Sequence, residues 1–86
     1  MGKLEEPATG EFSVYQFFPD GFYERVLAFV SDAEAVHGAA KLCRSVGAKI
    51  GTTQRVIITD GGDYTVFEWR FGLGITFPLQ DGETRQ

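Results

Sequence analysis

The sequence predicts an α+β fold: an antiparallel sheet of four to five strands with a single helix packed on one face, in the order β-β-α-β-β-(β). Three observations support it. Residues 31–47 carry apolar side chains at the helical period. The segments before and after them each contain two runs of strand-forming residues separated by a turn. A length of 86 residues allows one hydrophobic core and no second one.

The first hairpin is predicted from residues 12–18 and 22–30, which are rich in aromatic and β-branched side chains. Between them, the Pro-Asp-Gly segment at 19–21 suits a tight turn. If Phe18 lies opposite Phe22, apolar side chains occupy both faces of the ribbon. The register then pairs Phe17 with Tyr23, Gln16 with Glu24, Tyr15 with Arg25, Val14 with Val26 and Ser13 with Leu27.

A long helix is the competing interpretation of this region. Apolar residues from Phe22 to Cys43 are also spaced alternately by four and three, as on one helical face. Capping residues in the middle of that span, and the strand-type composition of residues 22–30, favour the hairpin instead.

The helix is predicted over residues 32–46, with a signal at each end. Ser31 and Glu34 have the spacing of a capping box, in which each side chain accepts a hydrogen bond from the backbone N–H of the other. Gly47 suits the left-handed conformation that follows a last helical turn. One side of the helical wheel is apolar and comprises Ala33, Ala35, Val36, Ala39, Ala40, Leu42, Cys43 and Val46.

A second hairpin is predicted from residues 54–59 and 64–71. The adjacent glycines of the Asp-Gly-Gly-Asp segment at 60–63 suit a type I′ turn, with one aspartate opposite the other. That register pairs Arg55 with Glu68, which have opposite charges. It places on the helix side Val56, Ile58, Phe67, Trp69 and Phe71, and on the other side Ile57, Tyr64 and Val66.

The rest of the chain is predicted to be connections and tails. Residues 48–53 connect the helix to the second hairpin, and residues 75–77 form a short last strand. Residues 1–10 and 80–86 are polar and are expected to be mobile, so the single domain is predicted over residues 11–79.

Composition excludes several classes of protein. A hydrophobic fraction of 43% is too high for a disordered chain, and a net charge of −4 argues against general nucleic-acid binding. The one cysteine cannot form an internal disulfide, which favours a reducing compartment. The sequence contains neither a secretory signal pattern nor an apolar run of membrane-spanning length, so a cytoplasmic protein without a membrane partner is expected.

The predicted sheet is too wide for its one helix. A 15-residue helix is roughly 22 Å long and about 10 Å wide, whereas five strands make a sheet roughly 24 Å across. An uncovered apolar face favours contact with a second copy of the chain. The sequence therefore predicts a homodimer or higher symmetric oligomer, with either Ile57, Tyr64 and Val66 or the aromatic residues of the first hairpin in the contact.

Catalytic, metal and cofactor sites are not predicted. His37, the one histidine, falls on the polar side of the helix, and Cys43 falls on the apolar side, so the two cannot act as a pair. Asp60 and Asp63 supply too few ligands for a calcium ion. We expect His37 on the surface, Cys43 in the core, and no enzyme activity.

Two sets of side chains could bind a ligand. Tyr15, Tyr23, Arg25 and Trp69, with Phe17, could line a small-molecule cleft, because polar tips orient a ligand in an apolar pocket. A basic run could instead meet an anion or RNA, and it comprises Lys41, Arg44, Lys49 and Arg55.

The sequence therefore favours a small oligomeric binding or interaction module without catalytic activity. The first alternative is a small-molecule-binding protein, or an enzyme, with its site between subunits. The second alternative is a weak binder of RNA or anions, although nucleic acid is the less expected partner because the chain is acidic.

Overall fold

A computed structural model describes residues 9–78 as an antiparallel sheet with helices between its second and third strands. The strand order is β2-β1-β3-β4-β5, which confirms the α+β fold and the predicted order of elements. The elements are β1 (Phe12–Phe17), β2 (Tyr23–Val30), α1 (Asp32–Cys43), α2 (Val46–Ile50), β3 (Arg55–Thr59), β4 (Thr65–Arg70) and β5 (Gly74–Phe77).

Most of each predicted tail lies outside the described residues, which leave out 1–8 and 79–86. Thr9 and Gly10 are described, and their backbone N–H groups donate to the Phe29 carbonyl at 3.0 and 3.2 Å. Gly10 passes so close to β2 that an added Cβ would lie 2.2 Å from the Val30 carbonyl oxygen. A side chain at this position therefore requires the backbone to move.

The core lies between α1 and the two central strands, β1 and β3. Val14 and Val56 have no exposed surface, and Ile58 is also buried. Ala35 and Ala39 pack on them from α1, because their small side chains let the helix approach the sheet closely. Each buried valine contributes about 2 kcal/mol to the hydrophobic stabilisation of the fold.

The start of α1 is the predicted capping box. The Glu34 N–H donates to the Ser31 hydroxyl at 3.1 Å, and the Ser31 N–H donates to the Glu34 carboxylate at 3.0 Å. The Thr9 hydroxyl also donates to this carboxylate, at 2.7 Å. The bond from the Ser31 backbone, followed by that from Thr9, lowers the pKa of Glu34 because both stabilise the charged form.

The predicted end of the helix is wrong. α1 ends at Cys43, and Ser45 begins a second helix by accepting a hydrogen bond from the Ala48 N–H at 3.1 Å. Gly47 therefore lies inside α2, and Gly51, with φ of 95°, is the residue that caps it. The physical reason is local. Ser45 caps the start of α2, and this capping stabilises a new helix more than extending α1 by one further turn would.

The first hairpin joins β1 to β2, so the long-helix interpretation is wrong. Near the turn the predicted register is confirmed: Phe17 pairs with Tyr23, Gln16 with Glu24 and Tyr15 with Arg25. Further along, β2 is irregular and Val14 pairs with Leu27. The predicted pairs Val14 with Val26 and Ser13 with Leu27 are wrong.

Two irregularities interrupt β2, one between the pairs of Tyr15 and Val14 and one opposite Ser13. Phe29 adopts φ of 55°, and its N–H donates to the Ser13 hydroxyl at 3.2 Å. Positive φ costs a side-chain-bearing residue roughly 1–2 kcal/mol, which this hydrogen bond partly offsets. The irregularity between Tyr15 and Val14 pairs Leu27 with Val14 on the helix side, where Leu27 packs against the core.

The turn of the second hairpin, residues 60–64, is longer than predicted. The Asp60 N–H donates to the Tyr64 carbonyl at 2.9 Å, and the residue with positive φ is Asp63, at 66°, rather than either glycine. The Asp60 carboxylate explains this, because it accepts hydrogen bonds from the N–H groups of Gly62 and Tyr64. The predicted type I′ turn is therefore wrong.

The longer turn shifts most of the β3–β4 register by two residues. Because side chains alternate with a period of two, this shift leaves each of them on its predicted face. The predicted pairing of Arg55 with Glu68 is wrong in register, although the two side chains still meet diagonally in an ion pair. The observed pairs are Arg55 with Arg70, Val56 with Trp69, Ile57 with Glu68, Ile58 with Phe67 and Thr59 with Thr65.

Candidate functional site

Two surfaces of the described chain differ in chemistry and are candidates for function. The first is the sheet face turned away from α1, which we call the open face. Aromatic and charged side chains dominate it, chiefly Tyr15, Phe17, Tyr23, Arg25, Phe29, Arg55, Glu68 and Arg70.

The aromatic rings of the open face contact one another across β1 and β2. The ring of Tyr23 lies 5.8 Å from that of Tyr15 and 5.4 Å from that of Phe17, in tilted arrangements. The Arg55 guanidinium lies 4.8 Å from the centre of the Phe17 ring, a cation–π geometry. Arg25 makes a similar contact with the Phe29 ring, at 5.7 Å.

An ion-pair network lies beside these rings. Arg55 and Arg70 face each other on β3 and β4, and both contact the carboxylate of Glu68, with Arg70 at 3.2 Å. The Thr76 hydroxyl donates to the same carboxylate at 2.8 Å. Two cations share one anion, so this part of the open face has a net positive charge.

Opposing effects act on the pKa of Glu68. Burial, the largest single effect, raises it, because the charged form loses water. Hydrogen bonds from Thr76 and Arg55, together with the charges of Arg55 and Arg70, outweigh burial and lower the pKa below its usual value. Glu68 is therefore charged at neutral pH and holds the two arginines side by side.

The second surface is a groove on the helix side of the sheet, between α1 and strands β4 and β5; we call it the lateral groove. α1 packs on β1, β3 and β2 and leaves the last two strands beside it uncovered. The groove has a volume of about 580 Å³. Its lining is mainly apolar and includes Val36, Ala40, Cys43, Phe67, Trp69 and Ile75.

Arg44 is the one charged residue among the described residues that line the lateral groove. It follows directly after α1, next to Cys43. Burial raises the pKa of the Cys43 thiol to about 11, although the charge of Arg44 acts in the opposite direction. The thiol is therefore uncharged at neutral pH and acts as part of the apolar lining.

The predicted cleft residues do not lie together. Tyr15, Tyr23 and Arg25 share the open face, whereas Trp69 lines the lateral groove on the opposite side of the sheet. Their role in ligand binding stays a prediction. The sequence analysis did not predict the lateral groove, although one signal was present. Phe67 and Ile75 lie on the helix side of β4 and β5, and a single helix is too narrow to cover these strands as well.

The predicted interface residues differ in exposure. Ile57 is only 7% exposed, whereas Tyr64 is 73% and Val66 37% exposed. A side chain that is already buried within its own chain adds little to a contact with another copy. The part of these residues in self-association stays a prediction, and the exposed pair has most surface to contribute.

The basic run is divided between separate surfaces. Lys41 and Arg44 lie at the end of α1, and Lys49 lies on α2, whereas Arg55 lies on the open face and is paired with Glu68. His37 is exposed on α1, as expected. Within residues 9–78, no three His, Cys, Asp or Glu side chains are grouped so that they could hold a metal ion.

Comparisons with protein-family models, with curated proteins and with solved structures gave no match to this chain. No helix in the described part of the chain combines the length and the apolar composition needed to cross a membrane.

Proposed function

We propose that this chain is a small binding module without catalytic activity that works as a symmetric homo-oligomer, with the open face as the contact between copies. The observation that supports this proposal is the composition of that face. Aromatic and arginine side chains dominate it, and Lys41 and Lys49 lie on the helices instead. Contacts between protein subunits are enriched in aromatic residues and arginine and depleted in lysine.

The charges of the β3–β4 hairpin suit pairing with a copy of itself. Arg55 and Arg70 lie at one end of the hairpin, and Asp60 and Asp63 lie at its turn. The two ends are about 17 Å apart, given five residues of extended strand. A two-fold axis running across the strands would bring the basic end of each copy onto the acidic turn of the other.

Exposed rings supply the apolar part of this contact. On the open face, Tyr23 is 61% exposed and Phe29 is 50% exposed. Neither ring covers the core between α1 and the sheet. Aromatic side chains bury large areas on association, so they are expected to dominate its free energy.

Sedimentation velocity over a range of micromolar concentrations tests self-association directly. Tyr23→Glu places a charge among the rings and is expected to weaken association about tenfold or more. Ile50→Glu is the matched control, because it introduces the same charge at an exposed apolar residue of α2. A monomer at every concentration, or equal weakening by both substitutions, would contradict the proposal.

The proposed orientation has its own test. Asp63→Asn and Arg70→Gln each remove one charge from an exposed side chain, and asparagine tolerates the positive φ of residue 63. If the basic end of one copy meets the acidic turn of the other, each substitution weakens association by about 0.5 kcal/mol, and the double variant is less weakened than the sum. Additive effects would contradict this orientation and leave self-association itself standing.

A further inference from the structure

We infer that the lateral groove is a binding site for a small amphiphilic anion, with an apolar body along the groove and one carboxylate at Arg44. This site is formed within one chain and lies on the opposite side of the sheet from the proposed contact between copies. It therefore does not depend on self-association.

The size and lining of the lateral groove fit a small ligand. Its volume of about 580 Å³ lies within the range of roughly 300–1,000 Å³ that is typical of small-molecule sites. Val36 and Ala40 form one wall on α1, and Trp69 and Ile75 form the floor on the sheet. Such sites combine an apolar lining with a few polar groups that orient the ligand.

Arg44 supplies the polar group. Among residues 9–78, the ion pairs are those of Arg55 and Arg70 with Glu68, so Arg44 has no carboxylate partner within the described chain. Arg44 lines the groove directly after the last turn of α1, and its charge acts on the Cys43 thiol of the same lining. A guanidinium binds a carboxylate through two parallel hydrogen bonds, which gives both affinity and orientation.

The charge of the groove selects the class of ligand. One guanidinium neutralises one carboxylate, whereas a polyanion would leave further negative charges next to an apolar lining that cannot solvate them. A neutral apolar molecule would be stabilised by burial in the groove but would give Arg44 no negative charge to bind. A monocarboxylate with an aliphatic or aromatic body matches both features.

Trp69 provides the measurement, because it is the one tryptophan of the chain and it lines the groove. The 86-residue chain would be titrated with decanoate below its micellar concentration while tryptophan emission is recorded. Decanol and acetate are the partial probes, since each lacks one half of the proposed ligand. We expect a saturable change in emission with decanoate, a weaker response to decanol, and none with acetate.

Two variants distinguish the roles of charge and shape. Arg44→Gln is expected to weaken decanoate binding about tenfold and to leave decanol binding unchanged. Ala40→Phe fills the groove and is expected to weaken both. Lys41→Gln is the matched control, because it removes a neighbouring charge of α1 that does not line the lateral groove.

Three results would overturn the site. They are no saturable response to decanoate, equal binding by the wild type and Arg44→Gln, and tryptophan emission that changes with protein concentration alone, which would show a second copy in the groove. Sedimentation of the same samples reports on self-association separately. A monomer that binds decanoate would refute the proposed function and support this site.

Discussion

The two halves of the sheet's helix side differ in what covers them. Over β1 and β3, the side chains of Val14 and Val56 are fully enclosed by α1. Over β4 and β5, Ile75 remains 38% exposed and Leu73, in the turn between these strands, 72% exposed. Both halves present apolar residues to the same side, but those of β4 and β5 are only partly buried or exposed.

This difference separates stability from recognition within one small sheet. Burial of apolar surface is the main source of folding free energy, so the covered half holds the fold together. The uncovered half contributes less to the folding free energy, and its exposed apolar surface can contact a ligand or another chain. Substitutions that are chemically alike should therefore have different consequences in the two halves.

The largest expected effect comes from deleting a buried isoleucine. Ile58 is only 4% exposed, so Ile58→Ala leaves a cavity under α1 and is expected to lower the free energy of unfolding by about 3 kcal/mol. Ile75→Ala, the matched change in the uncovered half, is expected to cost less than about 1 kcal/mol. Urea denaturation followed by circular dichroism gives both values.

An equal loss in the free energy of unfolding for the two variants, at Ile58 and at Ile75, would contradict the proposed difference between the halves, because it would mean that β5 is covered in solution. That result would favour an oligomer in which a second copy of the chain covers β5. The two variants are therefore best measured at two protein concentrations.

A smaller effect on the free energy of unfolding is expected at Gly10, where the chain passes close to β2. Gly10→Ala places a Cβ 2.2 Å from the Val30 carbonyl oxygen, and backbone atoms cannot move aside as a side chain can. We expect a loss of about 2 kcal/mol in the free energy of unfolding. Gly61→Ala is the control, since its Cβ meets the flexible side chain of Glu11 and should change stability by less than about 0.5 kcal/mol.

The smallest effect concerns the open face and depends on pH. The folded-state pKa of Glu68 is lowered, so its stabilising contribution is present above its unfolded pKa, near 4.5, and is lost as pH falls through the folded value. Glu68→Gln is expected to cost about 1 kcal/mol at neutral pH and progressively less in acid. Denaturation at several pH values, with Glu24→Gln as control, measures this; a cost independent of pH would exclude the mechanism.

Features set by neighbouring residues could be predicted from the sequence. The start of α1 depends on Ser31 and Glu34 alone, and the faces of β3 and β4 depend only on alternation. The end of α1 could not be predicted, because Gly47 and Ser45 are both helix signals and the choice between them depends on packing. The bulge at Phe29 likewise depends on Ser13, sixteen residues away.

The candidate site was less accessible to sequence reasoning. The aromatic and arginine residues of the first hairpin could be recognised as a group because they lie close together in the chain. Trp69 joined that group by chemical likeness, yet an alternating strand places it on the other face. The lateral groove depends on which strands α1 covers, and no local pattern encodes that lateral position.

The turn at residues 60–64 affects how this fold can diverge. Sliding β4 along β3 by two positions preserves the facing of every side chain, so the interior tolerates such a shift when the turn changes length. A slip of β4 by one residue along β3 would instead turn Phe67 and Trp69 to the open face. We therefore expect homologous chains to retain the alternation of β3 and β4 more strictly than the length of the turn that joins them.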